Sequence, residues 1–336
     1  MNFSVVKKLI TMENAPTHQL PRVALSQGDF NGIGYEVMLK TFADARMFEM
    51  LTPILYGQSK AFAYYKKNFG MDSPNYALTR DVRQASQGKF NIINIVENEL
   101  KIEPGAASEL STEMSVVSMK KAVEDLRTGL VDALVMAPDS PVVGMSNLNY
   151  LFSHFKDSAP LRMMVNDIMR IALATDDLPL EKALAQIDVP FLVGKMTTLS
   201  ETLKKDFGIS APKIAVMGLN PRVDAGDDDK VLKAIAEVQR KGVMAFGPFS
   251  VSQLFLKGQW KKYDAVLAMY YDQGVFPLKL MALGGCACYW AGLPVVCAAP
   301  MHGPAFDIVN TNKALPDSYR MAVYLARDIA SRRLEQ

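Results

Sequence analysis

Short apolar runs that stop abruptly on polar residues recur along this chain, and most are followed by a stretch with helical spacing. The runs are Pro21–Gln27, Thr52–Tyr56, Phe90–Val96, Val131–Met136, Arg170–Thr175, Lys213–Leu219, Ala265–Met269, Cys286–Trp290 and Pro294–Ala298. Helical patterns fall at Tyr35–Phe42, Ser59–Asn68, Ser111–Leu130, Tyr150–Lys156, Thr198–Phe207, Asp229–Lys241 and Ser318–Arg332. A strand covered on both faces reads as a continuous apolar run. Repeated strand-then-helix order therefore predicts an α/β fold with a largely parallel sheet. At 336 residues the chain exceeds the usual single core, so two lobes are expected.

Composition narrows the function classes. A net charge of +2 gives no electrostatic case for nucleic acid or an anionic membrane as partner. No apolar segment approaches the roughly 20 residues of a membrane span, and the N-terminus lacks a secretory pattern. Three cysteines, Cys286, Cys288 and Cys297, are an odd number in a large chain and read as reduced, cytoplasmic thiols. Their spacing is not the Cys-x-x-Cys of a zinc site, so they read as packed strand residues.

Four runs end in polar clusters: Asp139-Ser140, Asp176-Asp177, Asn220-Pro221-Arg222 and Tyr270-Tyr271-Asp272. If the strands run parallel, these ends converge on one cleft. The alternative is four solvated loops. The turn Gly28-Asp29-Phe30-Asn31-Gly32-Ile33-Gly34 lies between a strand and a helix. It is either a ligand-approach loop at a helix N-terminus or a plain tight turn. Asp29 and Glu36 there either cap the helix or shape the cleft floor.

At these strand ends the sequence resembles a known family. YDAVLAMYYDQGVFPLK looks like the YDAVLAMYHDQG…K segment of the 4-hydroxythreonine-4-phosphate dehydrogenases, the PdxA family of pyridoxal phosphate biosynthesis. SQGDFNGIGYE, VMAPDSP, IALATDDLPL, MGLNPRVDAGD and AGLPVVCAAPMHGPAFDI are similar, in order, to further motifs of that family. The resemblance implies two α/β/α domains related to isocitrate and isopropylmalate dehydrogenases, with a cleft between them. The expected boundaries are 1–130 plus 285–336 for one domain and 131–284 for the other. It also implies a homodimer and NAD-dependent oxidation of a secondary alcohol followed by decarboxylation. A divalent metal held by three histidines would assist that reaction.

Carried over residue by residue, the site changes character. The three metal histidines fall at Asp177, Arg222 and Tyr271. The substrate-gripping His-Thr pair falls at Asn147-Leu148, and a motif Lys falls at Pro141. The substrate Asn and Arg fall at Cys288 and Cys297, while the substrate Lys is kept as Lys279. Met301 and Pro304 replace an Asp and a Thr beside the retained His302-Gly303, the expected cofactor contacts. Arg has no lone pair to give a metal. The expectation is therefore an Arg222–Asp177 ion pair in place of the metal, with NAD binding weak at best. Lys279 and Asp272 are the remaining catalytic candidates. An alternative cation set would draw on Asp177, Asp224 and Asp272. The expected function is a PdxA-like protein whose metal-dependent dehydrogenase activity is lost or strongly reduced. The alternatives are an active enzyme on the phosphorylated hydroxythreonine or on a less anionic hydroxy acid, and a non-catalytic ligand-binding or partner subunit.

Overall fold

The computed structural model describes residues 20–97, 101–140, 147–222, 228–281 and 285–336. Pro141 and Asp224 lie outside the described residues. Twelve strands form one sheet in the order β3-β4-β2-β1-β5-β12-β11-β6-β7-β10-β8-β9. They are β1 (Arg22–Ser26), β2 (Thr52–Gly57), β3 (Tyr76–Leu78), β4 (Phe90–Asn94), β5 (Ala133–Val135) and β6 (Leu161–Val165). The rest are β7 (Arg170–Leu173), β8 (Lys213–Met217), β9 (Met244–Phe249), β10 (Ala265–Ala268), β11 (Ala287–Ala291) and β12 (Val296–Pro300). The middles of β1 and β5 are apolar, as strands covered on both faces are. Val23, Ala24, Leu25, Ala133, Leu134 and Val135 are all fully buried.

The α/β reading holds, and the sheet is mostly parallel. The exception decides where the site lies. β12 runs parallel to β5, but β11 is antiparallel to β12, β6 to β11, and β7 to β6. Three reversals turn β7, and β10 and β8 beside it, against the direction of β5. The polar ends after β5 and after β7 and β10 thus do not meet at one common edge, as parallel strands would require. They approach from opposite directions across the face of the antiparallel pair β6 and β11. The sheet is also continuous across the expected boundary near 130: β5 pairs with β1 on one side and β12 on the other.

Two motifs turn out to be packing devices. In Tyr271-Asp272-Gln273-Gly274, the start of the Tyr271–Met281 helix, Gln273 is buried. Its Oε1 accepts from Met269 N at 2.7 Å and its Nε2 donates to the Gly218 carbonyl at 2.7 Å, tying the ends of β10 and β8 together. A Cβ at Gly274 would stand 2.8 Å from Leu173 Cδ2, so the helix lies this close to β7 only with glycine there. In the 28–34 turn, Gly28 has φ +63° and a Cβ there would collide with the Pro138 carbonyl oxygen. The close backbone approach is to the protein itself, which favours the tight-turn reading. Asp29 accepts from Asn31 N at 2.9 Å and Ser111 Oγ at 3.0 Å, anchoring the turn to the Glu109–Arg127 helix. Glu36 is buried, pairs with Lys40 at 2.8 Å and accepts from Ala314 N.

Candidate functional site

On β6 and β11 the side chains alternate between sheet faces. Register pairs Cys288 with Met164 and Trp290 with Arg162, so these four share one face. They floor a cleft of about 530 Å³. One wall is the strand exit Met136–Asp139 with the helix Asn147–Ser153, which brings Asn147, Leu148 and Phe152. Asp176, Asp177 and Tyr271 form the opposite wall, and Ala299–Gly303 close the remaining side.

The sequence candidates divide accordingly. Asp177, Tyr271, Asn147, Leu148, Cys288, His302 and Gly303 line the cleft. Asp272, Lys279 and Arg222 are exposed and do not line it. Cys297 is fully buried in β12 and does not reach it. Lys279 and Asp272 lie on the solvent side of a helix whose opposite side, Gln273, Gly274 and Leu278, packs on the sheet.

The expected Arg222–Asp177 pair does not form. The guanidinium beside Asp177 belongs to Arg162, in a strand that the apolar runs did not reveal. Arg162 Nε is 2.7 Å from Asp176 Oδ1, and its Nη2 is 3.5 Å from Asp177 Oδ2. The short contact is an ion pair without hydrogen-bond alignment, since the Nε–H does not point at the oxygen. Arg162 reaches both carboxylates because β6 is antiparallel to β7, which puts the start of β6 beside the residues that follow β7. Asp176 itself has φ +57°, a left-handed conformation that Asp and Asn tolerate better than most residues. The sequence signal for Arg162 is weak: one charge within Leu161-Arg162-Met163-Met164-Val165.

Burial governs the protonation of the lining groups. It pushes the Asp176 carboxyl up, although Arg162 pulls it the other way. It pushes the Asp139 carboxyl up as well, opposed by the hydrogen bond from Asn147. The Tyr271 phenol is pushed up, the Cys288 thiol rises to about 12, and the His302 imidazole is pushed down. Tyr271 and Cys288 are therefore protonated at neutral pH, and neither is a ready anionic ligand.

Besides Arg162 Nε and Asp176 Oδ1, three buried polar atoms of the lining residues have no hydrogen-bond partner among the described residues. They are the indole Nε1 of Trp290, the amide Oδ1 of Asn147 and Nε2 of His302. Asn147 Nδ2 is already committed to Ser115 Oγ at 2.9 Å and to Asp139. His302 Nδ1 lies 3.1 Å from the Gly303 carbonyl oxygen. Pro304, next along, gives its carbonyl to Ile33 N at 2.9 Å and has no N–H to offer a ligand.

Comparison with known proteins agrees with the fold and the family resemblance. Residues 49–326 match the family model described as pyridoxal phosphate biosynthetic protein PdxA. A 4-hydroxythreonine-4-phosphate dehydrogenase from Bacteroides thetaiotaomicron is 33% identical over 322 residues, covering 92% of this chain and 88% of the relative. The crystal structure of a 4-hydroxythreonine-4-phosphate dehydrogenase from Klebsiella pneumoniae shares the fold with a TM-score of 0.78. It is 24% identical, over 93% of this chain and 99% of that one. One described as a 4-hydroxythreonine-4-phosphate dehydrogenase from Burkholderia phymatum has a TM-score of 0.75 at 25% identity, over 93% and 98% of the two chains.

Proposed function

Because the chain belongs to the PdxA family of pyridoxal phosphate biosynthetic proteins, we propose that it keeps the family fold but has lost the metal-dependent dehydrogenase reaction. The observation that carries this reading is the Arg162 guanidinium held against Asp176 and Asp177. Two of the three positions that correspond to metal ligands are at this wall, Asp177 and Tyr271. The residues there do not fit a divalent cation. Asp177 is paired with a permanent positive charge, the Tyr271 phenol keeps its proton, and Arg222 is exposed. A cation entering beside Arg162 would meet like-charge repulsion as well as a poor ligand set.

The grip on phosphate is missing too. Arg162 is the one cation among the described lining residues, and it is already paired with carboxylates. Lys279 is exposed outside the cleft and Cys297 is enclosed in the sheet. A site that has lost the donors for a polar substrate discriminates against it by several powers of ten. NAD binding is expected to be weak, because the His302–Pro304 segment is docked on the 28–34 turn and Pro304 lacks a backbone donor. A homodimer, as the resemblance implies, is the expected assembly.

The test is metal analysis of the purified protein together with NADH production from 4-hydroxythreonine-4-phosphate, NAD and Mg²⁺. The expected result is substoichiometric metal and no NADH above background. Stoichiometric metal, or turnover in the unmodified protein, overturns the proposal.

A further inference from the structure

We draw no further inference here: the strongest candidate, the exposed face of the Tyr271–Met281 helix that carries Asp272, Phe276, Lys279 and Leu280, carries nothing because nothing in the structure shows what covers it.

Discussion

Arg162 Nε and Asp176 Oδ1 lie 2.7 Å apart across the boundary between β6 and the end of β7, with the Arg side chain 16% exposed. The contact joins two strands of opposite direction and holds a guanidinium against the cleft carboxylates. Removing the guanidinium should therefore unmask the carboxylates. Arg162→Met is expected to gain measurable Mn²⁺ binding by calorimetry where the unmodified protein has none. Adding Asp177→His and Tyr271→His should strengthen it. Arg162→Met should also cost about 1 kcal/mol or less in urea unfolding, since the Asp176 side chain is 40% exposed and solvent screens the pair. Unchanged Mn²⁺ affinity would count against Arg162 as the blocking group.

Asp139 gives a pH signature. Burial raises its folded pKa above the ordinary carboxylate value of 3.8, and neighbouring Asp29 raises it further. For a raised carboxyl, the protonated form is the one favoured by folding. Its contribution is complete below the unfolded pKa and is lost as pH rises through the folded value. Asp139→Asn removes this titration and retains an oxygen that can accept from Asn147 Nδ2. The variant should be more stable than the parent by about 1 kcal/mol near pH 7 and lose that advantage toward pH 3.5. Denaturant titrations at a series of pH values read the crossover directly.

Gly274 tests the packing of the helix that carries Tyr271. Gly274→Ala places a Cβ 2.8 Å from Leu173 Cδ2, which can shift, and 3.0 Å from Ala268 Cβ and Ile171 Cγ2, which are short or branched and shift less easily. Overpacking of this kind costs about 1–3 kcal/mol. Urea unfolding should show that loss.

Arg333 closes the C-terminal helix Asp317–Leu334 onto the sheet. Its Nε donates to Asp206 Oδ1 at 2.7 Å and its Nη2 reaches Asp206 Oδ2 at 2.9 Å and the Tyr289 hydroxyl at 3.0 Å. Asp206 is 3% exposed. Arg333→Met leaves that carboxylate buried without its cation and should cost about 3–5 kcal/mol. The double change Arg333→Met/Asp206→Asn should recover part of the loss, because the orphaned charge is gone. No recovery in thermal or urea unfolding would mean that the pair is not the source of the effect.

Much of the fold was legible in the chain. Buried parallel strands need uninterrupted apolar runs and helices need one apolar stripe, so β1, β2, β5, β10 and β12 and most of their connecting helices announced themselves. β3, β6 and β9 did not. β3 is half-exposed, β6 carries a charge in its second position, and β9 includes Gly247 and Pro248, so none shows the apolar run of a covered strand.

The residue types also determined the chemistry available: carboxylate, arginine and tyrosine at Asp177, Arg222 and Tyr271, and no three-histidine set. They could not determine which arginine meets Asp177. Arg222 follows a strand just as the polar clusters of the cleft do, and Arg162 sits inside one, but a pairing partner is fixed by strand direction and register. The three reversals around β11 and β6 point Arg162 and Trp290 onto the same face and bring Asp176 alongside. They leave Arg222 and Lys279 in solvent. Sequence thus set what the cleft could be built from. Tertiary structure decided its charge, because a side chain reaches only the face and the neighbours that its strand is given.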